Sequence, residues 1–336
     1  MQTSFEGTEL FNYSPLLYAY QLTDVGFTGG GTIDGGADGD GGFARWKGKE
    51  APDQARLRSL GNDSVPVSSV ADRTFGAGHY LRPSMLQTFG CTNVLVANLT
   101  LVNSPFWVIH PVYSHNVIVR GVNVTSANSN NDGCDPESSV DVLIEDSHFD
   151  TGDDCISIKS GRDADAWRVA QPTENVIVRR VSCTTSCNGV CIGSEMSGGV
   201  RRVLVDGGFT VKRAASPVYF KSNLDRGASI QDVYIRGVEA EECTDCIAFT
   251  NNYHSWRGGH FPTLFKNITV ADTRCKSAQT GVRAEGLPDM PIQQVTLLNV
   301  TVDRASKSAT DINNYTKDWV FTNVTINGKL VPAPPN

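Results

Sequence analysis

Four carboxylates lie in two short segments of this 336-residue chain. Asp132 and Asp135 stand in "NNDGCDP", and Asp153 and Asp154 stand in "TGDDCIS". Asp132 and Asp153 are 21 residues apart (153 − 132). Crowded acids cannot all ionise cheaply, so proximity keeps a proton on at least one of them. A protonated acid beside ionised carboxylates is the equipment for splitting a glycosidic bond. The same residues also suit a calcium site or a set of aspartate turn caps. Asp153 and Asp154 are the least ordinary of the four. They interrupt an otherwise strand-like run, "HFDTGDDCISIKSG", in which Cys155, Ile156 and Ile158 are fit for a core.

What positions such residues is a repeat. Similar segments open at Asn93, Asn116, Asp141, Asn175, Arg202, Asp232, Asn267, Gln294 and Asp318. Each has a polar opener, a short alternating run such as Val117 and Val119, a breaking Gly or Asn, and a second alternating run. The openers lie roughly 23 to 35 residues apart, a spacing typical of stacked repeats. Period-two runs of four to six residues bounded by turn residues are strands. A sandwich or barrel would also use many short strands, but with hairpin turns such as Asn-Gly, which are scarce here. A constant phase from repeat to repeat predicts an all-β parallel β-helix, a solenoid of stacked coils around one core. The solenoid is expected to form a single domain over residues 1–336. Stacked coils advance by about 4.8 Å, so the two acidic segments are expected on one face of neighbouring coils. Almost no segment carries a helical period long enough for a helix. The polar stretch 47–75 reads as a long loop.

Composition narrows the function. The net charge of −7 argues against a nucleic-acid partner. No apolar run is long enough for a membrane helix. The nine cysteines do not read as a secreted disulfide framework. Cys243 and Cys246 form a CxxC with no second ligand pair, which favours buried small apolar residues over a metal site. Cys183–Cys187 and Cys187–Cys191 are candidate local disulfides. The N-x-S/T triplets at Asn98, Asn123, Asn267, Asn299 and Asn323 mostly follow short strands, where Asn suits a tight turn.

The repeat together with "NNDGCD", "GDDCISIKSG" and "GSEMSGGV" resembles the family 28 glycoside hydrolases, the polygalacturonase family, over most of the chain. The resemblance implies a right-handed parallel β-helix that hydrolyses galacturonic-acid linkages of pectin with inversion and needs no metal or other cofactor. By motif, Asp153 matches the general acid, and Asp132 and Asp154 match the pair that activates water. It also implies a pectic oligo- or polysaccharide as partner and a secreted or periplasmic location, although "MQTSFEGTEL" has no basic segment followed by an apolar one.

Two family signatures are altered. Asn188 stands where the family has His, and Tyr219 stands where it has the Arg of Arg-x-Lys, with Lys221 retained. Asn does not titrate near pH 6, and Tyr cannot grip a carboxylate as a bidentate fork. The preferred reading is a subsite for a sugar other than galacturonate, such as rhamnose in rhamnogalacturonan, because all three aspartates are present together. Loss of activity is the alternative, leaving a carbohydrate-binding β-helix; a polysaccharide lyase is a further one. Glu195, Arg226, Tyr253 and Arg82 are further groove candidates, each equally suited to a structural hydrogen bond. The family's N-terminal cap is missing from the pattern. "MQTSFEGTEL" or a neighbouring chain is expected to cover the first coil, so the protein is expected as a monomer or an edge-associated oligomer.

Overall fold

The polar openers of the repeats bend the backbone. Asn93, Asn116, Asp141, Asn175, Arg202, Asp232, Asn267, Gln294 and Asp318 all take φ between 52° and 59°. This is the left-handed region, which Asn and Asp enter more readily than other side-chain-bearing residues. A second set of corners does the same: Asn98, Gly121, Asp146, Arg180, Gly207, Gly237, Asp272, Asn299 and Asn323 all have positive φ. The turn reading of the N-x-S/T triplets therefore holds at Asn98 and Asn323, whereas Asn267 and Asn299 take positive φ inside the long strands Leu264–Glu285 and Ile292–Ile312 and Asn123 opens the strand Asn123–Ser126.

The computed structural model describes residues 1–39, 41–254 and 257–335. Between the corners, parallel strands stack coil upon coil. On the first face Val94, Val117, Val142, Val176, Val203, Val233, Ile268 and Val295 stand in register. None is more than 2% exposed. Burying a side chain of this size contributes about 1.5–3 kcal/mol, so the ladder is a main source of stability. Along the openers, amides clasp from coil to coil: Asn93 to Asp24, Asn116 to Asn93, Asn175 to Asp141 and Asn267 to Asp232, at 2.6–2.8 Å. The second face carries the second run of each repeat.

A third face completes the coil. It runs through Leu17–Tyr20, Leu86–Phe89, Ile109–Val112, single bridges at Cys134 and Glu137, then Ile156–Ile158, Asn188–Ile192, Ser216–Lys221 and Asp245–Thr250. Several of its strands have their outward residues covered as well. Ile109–Val112 and Asn188–Ile192 are buried throughout.

The structure departs from the sequence expectations in several places. The stretch 47–75 contains a helix, α1 (Ala51–Asn62), entered through Pro52. A second helix, α2 (Asp163–Val169), is short. Leu57 of α1 packs in a side core with Phe5, Leu10, Phe75, Leu81, Phe106 and Trp107. Only Leu57 and Gly61 of α1 are buried, so no apolar period marks the helix in the sequence. Residues 1–12 form a hairpin, Gln2–Phe5 against Thr8–Asn12, with Thr74–Phe75 beside it. The hairpin lies against the third face, where Tyr20 of the first coil donates to Gln2 (2.9 Å), Ser4 Oγ donates to Glu137 (2.8 Å) and Gly7 O accepts from the Arg162 N–H (2.8 Å).

The local cysteine pairings are also overturned. Cys155 pairs with Cys183 and Cys246 with Cys275, at separations of 28 and 29 residues. Those separations match one repeat, so each bridge joins adjacent coils. Cys187, Cys191 and Cys243 are free.

Candidate active site

Asp153 and Asp154 do not lie in a strand. The strand Val140–Thr151 ends before them and Ile156–Ile158 begins after them. The carboxylates therefore occupy the bend that leads into the third face. The hydroxyls of Thr151 (2.7 Å) and Thr185 (2.5 Å) both donate to the Asp153 carbonyl. The Asp154 N–H donates to Asp153 Oδ1 (2.9 Å). Gly152 is required here, because a Cβ would lie 2.3 Å from the Asn128 carbonyl oxygen. Gly133 is required on the coil before, where a Cβ would meet Phe149 Cδ1 at 2.4 Å. With that clearance the Gly133 N–H reaches the Asp154 carbonyl (2.9 Å), bringing Asp132 beside Asp154 on neighbouring coils.

Asp132, Asp153 and Asp154 share one cavity of about 330 Å³ with Lys221, Glu195, Arg226 and Tyr253. These seven residues, predicted from sequence, come together. Asn188 and Tyr219 lie outside the lining. Asn188 is buried, and its Nδ2 donates to Asp154 Oδ1 (2.6 Å). Tyr219 packs edge-on to Tyr253 at 6.2 Å between centroids, and Lys221 Nζ lies 4.9 Å from the Tyr253 ring centre. Arg226 is bound to the Ser194 carbonyl (2.7 Å) and to Asp163 (2.5 Å), which ties α2 to the site. Arg82 is fully structural, pairing with Glu50 (2.9 Å) and holding Asn130 (2.8 Å), which lines the cavity.

Other lining residues were missed. Lys159 and Arg162 follow Ile158 at the end of the acidic motif, and Glu6 and Arg58 come from the hairpin and α1. Lys159 was visible in "SIKSG", five residues after Asp154 (159 − 154) on the same coil. Glu6 and Arg58 had no sequence signal, because a non-repeating segment folds back to deliver them. Ion pairs link the set: Arg58 to Glu6 (2.6 Å), Glu6 to Arg162 (3.4 Å), Arg162 to Glu195 (2.7 Å) and Glu195 to Lys159 (3.1 Å).

The environments split the carboxyls. Burial, reinforced by the charge of Asp154, raises the Asp153 carboxyl above its ordinary range. Burial also opposes ionisation of Asp154, but Lys221 at 2.8 Å, Lys159 and the Asn188 amide prevail and hold it below that range. Burial and Asp153 push Asp132 well up, with Lys159 pulling the other way. Asp135 is fully buried and raised by burial and by Asp132. Glu195 is held well below its ordinary value, since Lys159, Arg162 and Arg226 overcome its burial. Such pairs with divergent proton affinities are how a site runs acid and base chemistry together.

Asp153, Asp154 and the Cys187 sulfur converge within 4.8 Å of one another. Lys221 already neutralises Asp154, and burial pushes the Cys187 thiol up, away from the thiolate that a metal needs.

The family model for Glycosyl hydrolases family 28 matches residues 2–325. A probable polygalacturonase of Vitis vinifera is 30% identical over 333 residues, covering 96% of this chain and 60% of that protein. The chain thus spans less than two thirds of that relative. The solved exopolygalacturonase of Thermotoga maritima is 36% identical, with a TM-score of 0.87 over 96% of this chain and 75% of that one. The polygalacturonase of Erwinia carotovora, at 19% identity and a TM-score of 0.66, shares the fold, covering 95% of this chain and 74% of that one. The coils are those of a right-handed parallel β-helix.

Proposed function

We propose, for a chain that belongs to glycosyl hydrolases family 28, that it hydrolyses galacturonic-acid linkages of pectic polysaccharide with inversion and from a chain end. The carrying observation is one cavity in which Asp153 favours its proton while Asp154 is held ionised by Lys221 and Asn188. In this reading Asp153 protonates the leaving oxygen. Asp154 and Asp132 hold and deprotonate the attacking water. An inverting pair needs roughly 6.5–9.5 Å between acid and base to admit that water.

The lining supports a uronic acid as the bound sugar. Five cations (Arg58, Lys159, Arg162, Lys221, Arg226) face five carboxyls (Glu6, Asp132, Asp153, Asp154, Glu195). With Asp153 protonated for its role, the local balance is positive in a chain of net charge −7, which suits an anionic substrate. Tyr219 is not among the lining residues and packs edge-on to Tyr253, so it does not supply an arginine-like fork; Lys221 is left as a point charge for one carboxylate. The hairpin and α1 supply Glu6 and Arg58 as a wall on one side of the cavity. This wall, together with the resemblance to an exopolygalacturonase, supports attack at the chain end. The two inter-coil disulfides support action in an oxidising, extracytoplasmic compartment.

The test is product analysis on polygalacturonan and rhamnogalacturonan in parallel. Monogalacturonate released from polygalacturonan from the first time point, with inverted anomeric configuration, is the expected result. A mixture of oligomers would overturn end attack. Cleavage of rhamnogalacturonan alone would overturn the substrate, and products absorbing in the ultraviolet would mark a lyase.

A further inference from the structure

Lys159 is not one of the aspartates, yet it is built into their support. Its Nζ lies 3.5 Å from Asp132, 3.9 Å from Asp135, 3.1 Å from Glu195 and 3.3 Å from the Gly193 carbonyl. The ammonium also sits 4.7 Å from the centre of the Trp107 ring. The side chain is 4% exposed. A buried ammonium with this many acceptors on several sides has little freedom to turn towards a ligand.

The acids it faces are crowded. Asp132 meets Asp153, Asp154 and Asp135, and the cations acting on it are Lys159 and, less strongly, Lys221. Asp135 is fully buried, and neither of its carboxylate oxygens has a hydrogen-bond donor. A buried carboxylate without donors is costly, so burial and the neighbouring Asp132 charge hold the Asp135 carboxyl well above its ordinary range. Lys159 in turn is anchored by Glu195, which Arg162 holds in place.

We propose that Lys159 is a positioning residue that makes Asp132 available as a base, and that Glu195 and Trp107 hold it there. Asp135 is its neutral companion, a carboxylic acid rather than a carboxylate. The inference rests on the hydrolase reading above and adds to it a cation whose work is done on another residue, not on the sugar. Without Lys159, Asp132 loses its principal counter-charge. Its proton then leaves only at higher pH.

The experiment is the pH dependence of kcat/KM for the wild type, Lys159→Met, Lys159→Arg and Asp135→Asn. Lys159→Met is expected to move the acid limb upward by one pH unit or more, with a smaller move of the alkaline limb. The reason is that Lys159 outranks Lys221 at Asp132, and Lys221 outranks it at Asp153. Lys159→Arg is expected to restore the limb to within half a unit. Asp135→Asn, isosteric with the protonated acid, is expected to keep at least a third of the wild-type rate. An unmoved acid limb in Lys159→Met with a tenfold higher KM would make Lys159 a substrate-binding cation and overturn the proposal. A uniform loss of kcat at all pH values would do the same in favour of a merely structural role. If Lys159→Met does not fold, the arginine and asparagine variants decide: an acid limb displaced in Lys159→Arg, or a loss above tenfold in Asp135→Asn, sinks the proposal. Wild-type cleavage of polygalacturonan in the same assay separates any of these failures from a failure of the hydrolase reading.

Discussion

At the residue scale the central fact is that adjacent aspartates receive opposite environments. Asp153 is left with burial and a charged neighbour, whereas Asp154 is given Lys221 and an amide. Repulsion within "GDD" is therefore the second cause of the proton on Asp153, behind burial. Asp153→Asn is expected to lower kcat by about 10²- to 10⁴-fold, the usual contribution of a general acid, with unchanged circular dichroism. Full activity in that variant would reassign the acid. Asn188 donates to Asp154 and is not part of the cavity lining. Asn188→Ala removes a hydrogen bond to a charged group, of order 1.5–3 kcal/mol, and is expected to move the acid limb of the pH profile upward. Glu195 offers a stability test with a definite sign. Its folded pKa lies below the ordinary 4.5, so its contribution is complete above that value and declines as pH falls through the folded one. Glu195→Gln leaves Lys159 and Arg162 without their counter-ion and is expected to cost about 3–5 kcal/mol at pH 7. Urea unfolding at pH 7 and pH 3 should show that difference shrinking in acid. An equal cost at both values would contradict it.

Among elements, the bend at 152–154 matters more than any strand. It holds two acids in a fixed relation because Thr151 and Thr185 clamp one carbonyl and Gly152 lets the chain pass the 127–128 backbone. Gly152→Ala forces that bend outward. A displacement near 1 Å at a reacting group costs about 10²-fold in rate, so activity is expected to fall far more than the melting temperature. Retained wild-type kcat would show that the bend tolerates the shift. The helix α1 is the second decisive element. Leu57→Ala in the side core is expected to cost about 2–5 kcal/mol of local stability. Because Arg58 and Glu6 depend on that packing, its products should include oligomers absent from the wild type; an unchanged product pattern would remove α1 from the chain-end wall.

At the scale of the whole molecule, the two disulfides act as clamps between coils at different distances from the chemistry. Closing loops of 28 and 29 residues stabilises by about 3–4 kcal/mol each in the chain-entropy account. Replacing either pair by alanine should lower stability in denaturant by a similar amount. Only the Cys155–Cys183 pair adjoins Asp154, so its loss is expected to depress kcat as well, whereas loss of Cys246–Cys275 should leave kcat intact at temperatures where the chain is folded. Equal effects on kcat would mean that the clamp next to the acids has no special role.

The repeat was legible in the sequence because corners and ladders are local. Every predicted opener took positive φ, and the alternating valines stacked as their period requires. The acidic motifs were legible for the same reason, since one repeat in sequence is one coil in space. The third face was not, because strands such as Ile156–Ile158 are short and buried on both sides, which erases the alternation. The disulfides escaped notice because their partners lie a coil apart, not a turn apart. Above all, only the tertiary structure brought Glu6, Arg58 and Arg162 to the aspartates. Whether a carboxyl keeps its proton depends on what surrounds it in space, and that surrounding is assembled from a hairpin, a helix and five coils that the chain visits far apart.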